Sequence, residues 1–268
     1  MMEAMVQMTG DSGLSKVWKD PVDDPEEIVS LPPSELVAGL PGHRLKDMQV
    51  AGDEFVDIYR VLAKTDDNVV GLFLKEYETF YEWDHYPEGD VYDHETHSQY
   101  YYHAHRGANG EHGHFHIFQR QKGMPAGLMP LPLEQGEPWP KGTDQIAHLI
   151  AVSMDKFGVP THLFTTNRWV TGENLYRAED VIAMLDGFSM DLVWPSWPTN
   201  RWMNALMVLF RPQIEALIHR RDAVLAKWMA EHPGDDILEN RELEITGMVA
   251  IDADEQIAAV QAALSAQS

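Results

Sequence analysis

The chain has 268 residues, 44% of them hydrophobic and 24% charged, which is enough for a large buried core and is inconsistent with a wholly disordered chain. It carries 43 acidic residues against 20 Lys and Arg, for a formal charge of −23, so nucleic acid and anionic membrane surfaces are poor partners. Cysteine is absent, which excludes disulfides, thiolate metal sites and cysteine nucleophiles. No apolar run is long enough to span a membrane, and the first residues lack the basic start and apolar stretch of a secretion signal. The expected compartment is the cytoplasm.

In chain order, residues 1–33 are polar, acidic and proline-spotted, and are expected to form a loosely ordered arm before a single α+β domain over 34–268. Helical spacing predicts helices over 47–64 and 67–80. Residues 84–97 are polar and turn-rich and predict no regular element. The period then drops to two. Ser98 to Arg106 reads as a strand, Gly107-Ala108-Asn109-Gly110 as a turn, and His112 to Arg120 as the return strand. Five prolines mark 121–143 as a long loop. Strands are predicted over 146–154 and 159–170, and a short helix over 178–186. The loop Trp194-Pro195-Ser196-Trp197-Pro198 precedes helices at 200–210 and 212–231. A last strand over 243–251 leads to a helix that Asp252 can cap. Helices, then hairpins, then helices predict an α+β fold with a mainly antiparallel sheet.

Chemistry concentrates in the hairpin. Five of the 13 histidines lie there: His103, His105, His112, His114 and His116. Alternation puts the first two on one face and the last three on one face. A two-residue loop places His103 opposite His116 and His105 opposite His114. A four-residue loop places His103 opposite His114 and His105 opposite His112. Both unite all five histidines on one face, and only an odd loop or a bulge separates them. Clustered imidazoles suit a divalent cation, and His103, His105, His114 and His116 are the predicted ligands. An all-nitrogen set does not separate zinc, iron(II), copper and nickel. Glu111 is the candidate acid/base, with a ligand or supporting role as alternatives. His85, Asp93, His94 and His97 lie just upstream as further candidates for the shell, or as solvated loop residues. His148 and His162 read as ordinary strand histidines. Arg106 and Arg120 bracket the hairpin, placed either to bind an anion or to neutralise the chain's acids. Arg168 is either an anion grip or an ion-pair partner. The loop 121–143 and the tryptophan loop are expected to shape a pocket for a small-molecule substrate.

His112-Gly113-His114-Phe115-His116-Ile117-Phe118 resembles the histidine-triad signature. That resemblance implies a nucleotidyl or phosphoramidate hydrolase or transferase with His114 as nucleophile and His112 and His116 in support. Tyr100–Arg106, Glu111–Phe118 and Thr165–Glu173 together resemble a bacterial family of unknown function with a Glu-His-Gly-His-Phe-His signature. His103, His105, Glu111 and His116 are also similar in type to the ligand set of cupins, which are metal-binding barrels. The leading expectation is a metal-dependent enzyme, and a non-catalytic metal buffer, sensor or structural site is the further alternative.

Overall fold

A computed structural model describes residues 28–104, 110–132 and 138–267. Its centre is one seven-stranded sheet: β1 (Ile28–Val29), β2 (Tyr86–Tyr92), β3 (Ser98–His103), β4 (Glu111–Arg120), β5 (Ile146–Asp155), β6 (Pro160–Thr166) and β7 (Ile245–Ala250). The strand order is β1-β7-β6-β5-β4-β3-β2, antiparallel throughout except for the β1–β7 edge pair. Eight helices flank it among the described residues: α1 (Pro33–Val37), α2 (Gly42–Leu62), α3 (Gly71–Leu74), α4 (Arg168–Thr171), α5 (Ala178–Met184), α6 (Trp197–Leu209), α7 (Arg211–Glu231) and α8 (Ala253–Ala266). The α+β expectation holds. None of these helices is long and apolar enough to cross a membrane.

One sheet face carries Tyr100, Tyr102, Phe115, Ile117, Ile150, Val152 and Leu163, all fully buried in the main core with Trp202 of α6 and Leu217 of α7. Phe115 meets the Trp202 ring at 5.5 Å, and the Tyr100 hydroxyl donates to Asn200 Oδ1 at 2.6 Å. This packing fixes which side of β3 and β4 faces away from the helices. By alternation that other face carries Gln99, Tyr101 and His103 on β3 and His114, His116, Phe118 and Arg120 on β4.

Three local expectations need correction. The helix expected over 67–80 reduces to Gly71–Leu74, because the Asn68 side chain accepts from the backbone N–H of Val70 and Gly71 and starts a turn that soon ends. Its apolar residues Val69, Val70 and Phe73 are nonetheless core. The segment read as irregular contains β2, whose pairing with β3 is interrupted between Tyr86 and Val91. Positive φ at Gly89 and Asp90 makes that excursion, so no period-two pattern survives in the sequence. The strand expected to run to residue 170 ends at Thr166, where Asn167 caps α4 by accepting from the Arg168 N–H. In addition, Ile28 and Val29, inside the stretch expected to be an arm, pair with Met248 and Val249.

Candidate metal centre

The β3–β4 register follows the four-residue-loop alternative: His103 lies opposite His114, and Tyr101 opposite His116. His103, His114 and His116 are 7%, 0% and 0% exposed. Each offers a ring nitrogen, and these atoms all lie within 4.8 Å of one another. A tetrahedral zinc with Zn–N distances near 2.0–2.1 Å holds its nitrogens about 3.4 Å apart. His105, Arg106 and the turn lie outside the described residues.

The five histidines do not all share a face. Glu111 pairs with Asp155 and Gly113 with Met154, so His112 is the extra residue of a β-bulge. The bulge turns His112 to the helix side, where its Nδ1 meets the Tyr102 hydroxyl at 2.7 Å and its ring stacks on Phe80 at 5.7 Å. The three alternating histidines therefore do not form one catalytic row, and the histidine-triad reading loses its geometry.

The same bulge brings Glu111 onto the site face. Its Oε1 accepts from His114 Nδ1 at 2.7 Å, which leaves Nε2 of that ring for a metal. His148, read from sequence as an ordinary strand histidine, does the corresponding work for His116. Its Nε2 lies 3.1 Å from His116 Nδ1. Burial, helped by the Arg221 charge, pushes the His148 pKa down to about 3, so it is a neutral imidazole able to accept that bond. A second bulge places it there: Ile117 pairs with Ile150 but Phe118 with His148, so Leu149 is skipped. Ser153, opposite His114 on β5, is 1% exposed, and its hydroxyl has no hydrogen-bond partner among the described residues.

Aromatic rings wall the triad. Phe164 lies 5.3 Å from the His114 ring, Tyr101 lies 5.2 Å from both His103 and His116, and the His85 ring stacks on Tyr101 at 3.7 Å. His85 is edge-on to His103 at 5.5 Å and its Nδ1 is 3.1 Å from Asp90. Other upstream candidates serve the chain itself. Burial raises the Asp93 pKa, but backbone N–H groups of Asp191, Glu95 and Thr96 outweigh it and hold the carboxyl below its ordinary range. His97 bonds to the Tyr92 hydroxyl. Arg168 is buried and pairs with Glu239. Trp202 packs into the core on the opposite sheet face, and Leu131 and Trp139 of the long loop pack near Val224 and Leu225.

Glu173 is the acid that sequence reading did not single out. It accepts the backbone N–H of His148 at 2.6 Å. Burial raises its pKa to about 7, against the pull of Arg221 and the His148 N–H. The native chain thus holds this proton more tightly than the unfolded chain, and stability falls as pH rises from about 4.5 to about 7. Glu173→Gln removes that term. The melting-temperature difference, variant minus wild type in metal-free protein, is expected to grow from pH 5 to pH 8; a flat difference would refute the assignment.

No curated protein and no solved structure matches the chain. A family-model match covers β2 to β7 and hence His103, His114 and His116. Residues 49–251 match the family described as Domain of unknown function (DUF6969), and the chain belongs to that family.

Proposed function

We propose that the chain holds one divalent transition metal on His103, His114 and His116 and uses it as a metal-dependent enzyme on a small-molecule substrate. The observation that carries this reading is the convergence of three buried ring nitrogens within 4.8 Å. Three buried imidazoles without a cation are a costly use of core space, because each is polar and their protonated forms repel. An ion on three protein ligands supplies a Lewis acid with a coordination position left for substrate, water or dioxygen. The imidazole set accepts zinc, iron(II), copper or nickel.

The protein's own contribution is positioning and exclusion of water. Glu111 orients His114 and His148 orients His116. Phe164 and Tyr101 limit solvent around the rings. The Ser153 hydroxyl is a spare donor beside His114 for a group bound at the open position. In this reading Glu111 acts through His114 as a positioning residue, in place of the direct acid/base role its sequence position suggested.

Metal-free protein titrated with each of the four ions against a chromophoric chelator tests the reading. Binding of about one equivalent by a chain that stays folded after chelation supports it. A chain that unfolds on chelation holds a structural metal instead, and no binding of any ion removes the reading. Glu111→Ala is expected to weaken binding by roughly 10–100-fold, the usual cost of losing a partner behind a ligand. Glu111→Gln retains an acceptor oxygen and is expected to lose much less. Equal affinity in all three proteins would show that Glu111 does not orient His114.

A further inference from the structure

A cavity of ≈ 450 Å³ opens at the far end of the histidine face, lined by Asp90, Tyr92, Gln99, Arg120, Lys122 and Asp144 among others. Its size is within the usual range for small-molecule sites, roughly 300–1,000 Å³. Gln99 and Arg120 share the sheet face of the triad. Arg120 is four residues along β4 from His116, about 13 Å at the usual rise per residue.

The guanidinium is built into place. Arg120 Nε donates to Gln99 Oε1 at 2.6 Å, and Nη1 donates to the Asp144 backbone carbonyl at 3.2 Å. The Gln99 amide is itself oriented, since its Nε2 donates to Asp90 Oδ2 at 2.7 Å. Asp90 spends its other oxygen on His85. Arg44, Arg168, Arg211 and Arg221 each pair with a carboxylate. Arg120 and Lys122 pair with none among the described residues, in a chain where acids outnumber bases by 43 to 20. Lys46, Lys64, Lys141 and Lys156 likewise show no carboxylate partner among the described residues; what sets Arg120 apart is the pair of hydrogen bonds that holds it at the cavity wall beside Lys122, with no bond from Nη2 among the described residues, and this forms a ready receptor for an oxyanion.

We propose that this cavity binds a small organic monocarboxylate through Arg120 and Lys122. The Asp144 carboxylate lines the same wall. It opposes a second negative charge and so disfavours a phosphate dianion. Tyr92 also lines the cavity, its ring packed edge-on against His94. This site does not rest on the metal reading.

The test is a titration of metal-free, full-length protein with benzoate and with inorganic phosphate, followed by amide chemical shifts. Saturable benzoate binding is expected in the millimolar range or tighter, with phosphate weaker. Arg120→Gln is expected to weaken benzoate by about tenfold or more, and the exposed Lys122→Gln, which threatens no packing, by severalfold. Asp144→Asn is expected to tighten benzoate and to admit phosphate. Absence of saturable binding by either probe overturns the site, as does benzoate affinity unchanged in both Arg120→Gln and Lys122→Gln. Phosphate binding tighter than benzoate in the wild type overturns the monocarboxylate assignment. Metal affinity of Arg120→Gln, measured beside these, is expected to equal wild type, so failure of either site is read separately from the other.

Discussion

His103→Ala, His114→Ala and His116→Ala are each expected to weaken metal binding by more than ~100-fold, beyond the cost of losing a partner behind a ligand. The three variants differ in what they do to the metal-free fold. His103 is the most exposed of the set at 7%, so its removal costs least. His116 is fully buried and bonded to His148. Its loss leaves a cavity and strands a buried ring nitrogen, a penalty of roughly 1–3 kcal/mol for the unsatisfied group alone. The expected stability order for metal-free protein is wild type, then His103→Ala, with His116→Ala lowest, checked by denaturant unfolding beside chelator-competition affinities. Wild-type affinity in any one variant would remove that residue from the site.

Gly113→Ala is expected to damage fold and site together. A Cβ at position 113 meets the Tyr102 ring and hydroxyl at 2.6 Å and the His103 carbonyl at 2.7 Å. Neither neighbour yields easily. Tyr102 is fully buried and bonded to His112, and the His103 carbonyl is strand backbone. Overpacking of this kind costs about 1–3 kcal/mol or more. For a protein somewhat above the 150–250-residue range, 2 kcal/mol corresponds to roughly 4–8 °C of melting temperature at most. The clash pushes β3 away from β4 between His103 and His114, so metal affinity is expected to fall as well. Thermal unfolding and metal titration of the variant check both; a wild-type melting temperature would mean that glycine is not needed for this close approach.

The part of the site legible in sequence is the part that strict alternation governs. His114 and His116 are two residues apart on one strand, and the antiparallel pairing of β3 with β4 sets His103 opposite His114, so their convergence follows from spacing. Glu111 was legible by type, with acid/base, ligand and supporting roles left open, and only the bulge at His112 shows that it reaches His114. The same bulge removed His112 from the face that spacing assigned to it. His148 was illegible: it is 32 residues from His116, on another strand, and faces the triad only because Leu149 is skipped in the β4–β5 pairing. Bulges cost one residue of register and leave no compositional mark beyond an occasional glycine. The fold class was legible from the change between helical and period-two patterning. The β2 strand was not, since the excursion at Gly89 and Asp90 breaks its alternation.

The central claim is that His103, His114 and His116 share one metal ion. Anomalous diffraction from crystals of the zinc- or iron(II)-loaded protein, recorded at the metal edge, tests it most directly. The account predicts one strong peak about 2.0–2.2 Å from a ring nitrogen of each of the three histidines. A metal seated elsewhere, on His94 or His97 for example, or no peak at the triad in crystals of protein shown to be loaded, would contradict it.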